Sequence, residues 1–568
     1  MPYNKDNPLI IQGDRTILLD VHAPAAEKAR NALIPFAELE KSPEHLHTYR
    51  ITPLSLWNAA SAGFSPETVS KTLEGFSRFP IPGSVQTWVE ETMGRFGTIR
   101  LLQSDNPDYL ILITDSSLVY RELEASRQMQ KYLLPAGTTD YAFLLAVLHR
   151  GTVKQELLKM GWPVKDEAPL KDGEPLDVRF LDTMESGDSL EIRDYQHRAA
   201  AALVGDKGPG TGFGTIVLPC GSGKTVVGMI VMEMLATSTL ILTTNVAAVH
   251  QWIDELVDKT NLSRDQIGEY TGDTKIIKPV TIATYQILTW RPDKESPFPH
   301  FSLFRERAWG LIIYDEVHLL PAPVFRVTAE LQTVRRLGLT ATLVREDGRE
   351  GDVFSLVGPK RYDVPWKDLE GQGWIATALC MEIRVPLAGQ QEINYAVAGQ
   401  RQKYRIASEN EAKMKVVTEL LRRHSDDSVL VIGQYIQQLE KVAATLNVPL
   451  ITGKTPNVER DRIYADFRNG KTKAIVVSKV ANFAIDLPDA SVAIQISGSF
   501  GSRQEEAQRL GRIMRPKEKN AMFYTIVTAR SVEEDFAANR QKFLAEQGYE
   551  YSIVRWDESV LDYTDGTQ

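Results

Sequence analysis

Two short stretches carry residue types whose spacing can do chemistry. Residues 219–225 read PCGSGKT, set between two apolar runs. Gly221 and Gly223 let successive backbone N–H groups turn onto an anion, Lys224 can reach the outer phosphates of a nucleotide, and the Thr225 hydroxyl can hold Mg2+. Pro219, Cys220 and Ser222 complete the loop, although the long form of such loops has a glycine where this chain has Leu218. Further on, LIIYDEVH ends an apolar run on Asp315 and Glu316. A carboxylate at a strand end can hold Mg2+, and its neighbour can polarise an attacking water. Metal ligation is therefore expected of Thr225 and Asp315, and activation of water of Glu316.

Two more stretches complete a nucleotide site. In QRLGRIMR, a helix would put Gln508, Arg512 and Arg515 on one face, where they could reach a γ-phosphate from an opposing wall. In IRDYQ, Arg193 and Gln196 precede the loop, and an amide can pair with N6 and N7 of adenine, which points to ATP over GTP. Taken singly, each feature has a plainer reading: a tight glycine turn, a strand end, a solvated basic face, a surface glutamine. Their occurrence together in one order favours the site.

These residues need a scaffold, and the sequence has the rhythm of one. Residues 215–218, 239–242, 280–283 and 311–314 are short apolar runs ending at polar loops, as buried parallel strands read. Between them, residues 246–257 place Val249, Trp252, Ile253 and Leu256 on one helix face. The rhythm restarts with strands at 429–432, 474–477, 492–496 and 523–527 and helices at 436–446, 460–467 and 504–514. The fold class is α/β, two tandem lobes of about 180 residues each, parallel sheets flanked by helices, joined near 365–373. An α+β region precedes them, with a strand pair at 9–11 and 16–20 and helices at 24–40 and 53–63. Helices at 45–60 and 66–76 would suit a winged-helix-like unit. The expected divisions are 1–120, a small region and linker over 121–185 (the linker being 165–188), a nucleotide-binding lobe over 186–368 and a second lobe over 369–568.

Composition sets the outer limits. A chain of 568 residues, 43% hydrophobic and 24% charged, suits three or four globular domains. No apolar run is long enough to span a membrane, and the first residues lack a secretion signal, so the cytoplasm is expected. Two cysteines supply neither a zinc cluster nor a disulfide framework. The net charge of −9 leaves nucleic-acid binding open, since one groove can be basic while outer faces stay acidic.

The order IRDYQ, PCGSGKT, DEVH, TAT and QRLGRIMR resembles a superfamily-two helicase, in which two RecA-like lobes close on ATP. GLTATLVREDG, with Arg345, Glu346 and Asp347 just after Thr340, Ala341 and Thr342, is similar to the XPB helicases, 3′-to-5′ DNA translocases of transcription and repair. HTYRITPLSLWNAA, YDEVHLLPAPVFR, VVSKVANFAIDLPDA and GSRQEEAQRLGRIMRPK resemble the bacterial branch.

That resemblance implies ATP and Mg2+ as cofactors and excision-type repair as the setting. Arg512 and Arg515 would complete the site on lobe closure. His318, Thr340, Ala341, Thr342 and Asp486 would couple hydrolysis to DNA, although Ala481-Asn482 stands where eukaryotic relatives show Gly-Asp. Arg345, Glu346 and Asp347 would separate strands. Single-stranded, forked or duplex DNA would be held through its backbone by Thr243, Thr244, Asn245, Thr281, Thr284, Ser478 and Lys479. RQKYR, with Arg401, Lys403 and Arg405, falls in a thumb-like insertion near 385–425; it could grip DNA, but a solvated helix face is the plainer reading. Trp252 and Trp309 read as core. A nuclease partner and a monomeric motor are implied. Two other readings stay open: an ATP-regulated clamp or duplex translocase that recruits partners without processive unwinding, and an RNA helicase.

Overall fold

Near-continuous Val, Ile and Leu runs cannot leave one sheet face wet, and the strands they form are buried on both sides. A computed structural model describes residues 4–41, 45–136, 141–184, 187, 189–219, 221–293, 295–341, 350–364, 378–478, 490–497, 521–538 and 551–556. The first lobe is a seven-stranded sheet in the order Ile267–Tyr270, Val280–Thr284, Thr239–Thr243, Leu311–Asp315, Arg335–Thr340, Phe213–Val217 and Lys360–Asp363. Every pairing in it is parallel. The crossovers put Val217 beside Thr340 and Asp315 beside Leu339, so three strands end together at one edge. Open parallel sheets bind ligands at that carboxyl edge.

The second lobe repeats the design: Leu450–Ile451, Ala474–Ser478, Val429–Gly433, Val492–Gln495, Ala521–Thr528, Ala378–Val385 and Tyr551–Arg555 form another seven-stranded parallel sheet. The expected helix at 504–514 and the join at 365–373 lie outside the described residues.

The N-terminal region differs from expectation in three places. Residues 45–60 are not one helix: Leu46–Arg50 is a strand between Thr16–Asp20 and Glu38–Lys41, and the helix Pro53–Ser61 begins after it. The Thr52 hydroxyl caps that helix and Pro53 starts it, so the apparent helical run merges two elements across a cap. Residues 24–40 likewise split into the helix Ala26–Leu33 and the strand Glu38–Lys41. The division expected at 120 is displaced as well. Ile99–Gln103 and Tyr109–Thr114 share a five-stranded sheet with Leu133–Pro135, Ala142–Ala146 and Val164–Asp166, so the break falls between the helix ending at Gly94 and Ile99.

This second module is fastened to the first lobe. On its helix Arg150–Lys159, the fully buried Arg150 donates through Nε and Nη2 to Asp166, at 3.0 and 2.8 Å, and to the carbonyls of Ala168 and Pro169. Lys154 Nζ bridges Asp166 and Gln332 of the first lobe, each at 2.9 Å. Gly151 lies so close to Ala329 that a Cβ would come within 2.4 Å of its carbonyl oxygen. Residues 171–181 of the expected linker form a strap on the lobe's edge: backbone N–H groups of Lys171, Glu174, Leu176 and Leu181 donate to the carbonyls of Thr333, Ala308, Ala236 and Lys259. Among the described residues no helix is long and apolar enough to cross a membrane.

Candidate nucleotide and nucleic-acid site

The phosphate loop leaves the strand Phe213–Val217 through Leu218, which is buried and whose N–H donates to the Thr340 carbonyl at 2.9 Å. The residue that departs from the long loop pattern thus prolongs the sheet. Gly221 and Gly223 have φ of 76° and 78°, the left-handed region where only glycine sits without strain. Gly223 opens the helix Lys224–Leu235, and a Cβ on it would come within 2.5 Å of Gln196 Nε2. Orphan N–H groups of that helix face the loop, as an anion site requires. Cys220 lies outside the described residues.

Gln196 and Arg193 meet the loop from the helix Asp194–Val204. Gln196 is buried; Nε2 donates to the Ser222 carbonyl at 3.0 Å and Oε1 accepts from the Arg193 N–H at 2.9 Å. Tyr195, overlooked in the sequence, donates its hydroxyl to the same Ser222 carbonyl. Ser222 Oγ donates to the Pro219 carbonyl at 2.6 Å. The amide expected to read adenine therefore braces the loop.

Asp315 ends its strand, and Glu316 turns the chain with φ 51° and ψ 56°. That left-handed backbone is uncommon for a side chain this large and aims the carboxylate back over the sheet edge. Glu316 Oε1 lies 3.5 Å from Lys224 Nζ and Oε2 lies 3.5 Å from His318 Nδ1. His318 Nδ1 is 2.7 Å from Thr340 Oγ1. Asp315 is held on three sides: Trp252 Nε1 donates to Oδ2 at 3.0 Å, the Glu316 N–H to Oδ1 at 3.0 Å, and the Tyr285 hydroxyl to its backbone carbonyl at 2.9 Å.

The two carboxyls are driven apart in acidity. Burial, with the neighbouring Glu316 charge, pushes Asp315 up to about 6. Burial works on Glu316 in the same sense, but the Lys224 and His318 charges outweigh it and its pKa falls. A buried carboxylate that resists ionisation alone suits a divalent cation, and the Thr225 hydroxyl is of the hard-oxygen type Mg2+ prefers.

The nucleic-acid candidates divide. Thr243 and Thr284 are register partners at the carboxyl ends of adjacent strands, and Thr244 and Asn245 follow the first. Asn245 caps the helix Val246–Lys259 by accepting from the Ala248 N–H, and its Nδ2 donates to Thr244 Oγ1. Gln286 Nε2 donates to the Thr244 carbonyl, a tie the sequence did not suggest. Thr281 stands apart from them: it sits at the opposite end of the strand, fully buried, with Oγ1 bonded to the N–H and C=O of Lys278.

Ser478 ends its strand beside Gly433 and is buried. On the helix Gln400–Ser408, Arg405 pairs with Glu409 and Gln437, and Lys403 stands over the Tyr395 ring. The helix Ala412–Arg423 buries Val416, Val417 and Leu420, which assigns this part of the thumb-like insertion to the lobe's core. Trp309 is core as expected; Trp252 is core and a hydrogen-bond donor to Asp315. Lys479, Asp486, Gln508, Arg512, Arg515, Thr342, Arg345, Glu346, Asp347 and the Arg401 side chain lie outside the described residues.

Comparison with known proteins places this site in a lineage. Residues 369–566 match the ERCC3/RAD25/XPB C-terminal helicase family, residues 189–345 the type III restriction enzyme res subunit family, and residues 9–137 a helicase conserved C-terminal domain family. The chain is 52% identical over 97% of its length to the DNA 3′-5′ helicase XPB of Kineococcus radiotolerans, covering 97% of that protein. It is 50% identical to the DNA 3′-5′ helicase XPB of Mycobacterium tuberculosis, over 98% of this chain and 99% of that one. The general transcription and DNA repair factor IIH helicase/translocase subunit XPB of Encephalitozoon cuniculi is 31% identical over 97% of this chain and 83% of its own. With the phosphate loop, the Asp315-Glu316 pair and full-length similarity in agreement, the chain belongs to the XPB family of DNA 3′-5′ helicases.

Proposed function

We propose that this protein is an ATP-dependent 3′-to-5′ DNA helicase and translocase acting in excision-type DNA repair. The observation that carries the reading is the chain of contacts Lys224–Glu316–His318–Thr340 at the carboxyl edge of the first lobe. It joins the residue suited to the outer phosphates, the residue suited to activating water, and the end of a strand that continues toward the family's strand-separating segment. Lys224 binds the phosphates, and Glu316 then orients and deprotonates the attacking water. Thr225 and Asp315 would hold Mg2+, which when bound supplies positive charge against the developing phosphoryl oxyanions. By the family resemblance, Arg512 and Arg515 would complete the site. Thr243, Thr244, Asn245 and Thr284 border the face on which a strand would lie. A nuclease partner would cut the strand that the motor opens.

The test is steady-state ATP hydrolysis without nucleic acid and with single-stranded DNA, forked DNA and RNA, beside Lys224→Ala and Glu316→Gln. Stimulation by DNA and little by RNA, lost in both variants, is expected. Equal hydrolysis in all four conditions overturns the motor. The rigid seating of the second N-terminal module on the first lobe suits a clamp as well; hydrolysis without displacement of a 3′-tailed duplex would select that reading.

A further inference from the structure

Trp252 fills core between the phosphate-loop helix and the strand that carries the acidic pair, yet its N–H is aimed at the carboxylate expected to hold the cation. Nε1 reaches Asp315 Oδ2 at 3.0 Å, while Oδ1 takes the Glu316 N–H. Each oxygen keeps a lone pair free to face a cation, and the two donors fix which way those lone pairs point. The neighbouring helix is shaped to admit the indole. Gly228 sits in the interior of Lys224–Leu235, where glycine is a poorer helix former than alanine. A Cβ there would lie 2.7 Å from Trp252 Cη2. The glycine therefore exchanges helix propensity for close approach of the ring.

The ring is also anchored at the nucleic-acid side. Trp252 belongs to the helix that Asn245 caps, and Tyr285, which grips the Asp315 carbonyl, follows Thr284. Both supports of Asp315 thus hang from loops that border the proposed DNA face. We propose that Trp252 is a positioning residue: its indole N–H, seated by Gly228, orients Asp315 for the nucleotide's divalent cation. This inference rests on the reading of Asp315 as that cation's ligand.

The test is equilibrium binding of a fluorescent ATP analogue to the full chain, titrated with Mg2+ and repeated in EDTA. Trp252→Phe keeps an aromatic ring and removes the N–H. Site-specific replacement of Trp252 by benzothienylalanine removes the N–H while keeping the ring shape, which separates the hydrogen bond from packing. Both should raise the Mg2+ concentration for half-maximal binding about tenfold, the order found for groups that orient metal ligands, with binding in EDTA unchanged. Gly228→Ala should shift it in the same direction, and in the Trp252→Phe background should add little.

An unshifted Mg2+ dependence in the folded benzothienylalanine protein overturns the inference and leaves the proposed function standing. Binding by the unaltered protein that ignores Mg2+ altogether overturns the cation-ligand reading and the inference together.

Discussion

Lys224 and Glu316 hold each other across the carboxyl edge of the first-lobe sheet, Nζ 3.5 Å from Oε1. On the proposed reading, a γ-phosphate arriving at this lysine would compete with Glu316 for the ammonium, and binding would release the carboxylate to face water. Glu316→Gln should lower single-turnover hydrolysis about a thousandfold, at the middle of the range for a general base, while nucleotide still binds. Lys224→Ala should lose the binding itself. A hydrolysis defect under tenfold in Glu316→Gln would remove Glu316 from the chemistry.

His318 lies between Glu316 and Thr340, with the 2.7 Å contact to the threonine hydroxyl the shorter of the two. Thr340→Val keeps the volume and deletes that contact. The ATP consumed per base pair displaced should rise about tenfold, within the range of coupling energies between sites. Parallel hydrolysis and displacement assays give this ratio, and an unchanged ratio would show that coupling runs elsewhere.

Asp166 neutralises two buried cations at once. Burial opposes its ionisation, but Arg150 and Lys154 outweigh that and hold the carboxyl well below the usual carboxylate range. Lys154, sharing that single carboxylate and facing Arg336, is brought down to about 8, chiefly by burial. Asp166→Asn should destabilise the fold by about 3–5 kcal/mol in denaturant unfolding, because it strands charge in the interior. The pH dependence has a definite sign. A depressed folded-state pKa contributes stability fully above the unfolded value, 3.8, and loses it as pH falls further toward the folded one. The unaltered protein should lose stability below about pH 4 more steeply than Asp166→Asn.

Gly151 tests the docking of the second module. Its missing side chain faces the Ala329 backbone, which cannot swing aside as a flexible side chain could. Gly151→Ala should destabilise by about 1–3 kcal/mol through overpacking. Limited proteolysis should then cut residues 171–181 sooner than in the parent; equal rates would mean that the strap is held without this contact.

The sequence made legible whatever is local. PCGSGKT, the Asp315-Glu316 strand end and the buried strands of both lobes each announce themselves within a few residues, because glycine conformation, strand burial and helix starts are short-range physics. The supports of the site are not local. Tyr195 on Ser222, Trp252 and Tyr285 on Asp315, and the vacancy at Gly228 arise from crossovers that bring distant strands together, and a tryptophan with an apolar helix face reads as packing alone. Thr281 stands apart because it lies within a strand whose carboxyl end comes only at Thr284. His45 to Arg50 misled because a strand and a capped helix, read without the break at Thr52, look like one amphipathic run.

The strap over residues 171–181 has a mechanical consequence. Its backbone is stitched to the first lobe at Thr333, Ala308, Ala236 and Lys259, and the module behind it meets the lobe through Lys154 on Gln332 and Gly151 against Ala329. A module mounted this way is expected to ride the ATP-binding lobe as fixed cargo. Any DNA strand its surface touched would then be met at a constant offset from the carboxyl edge that carries the phosphate loop. Residues 171–181 would act as a ruler where the sequence suggested a tether.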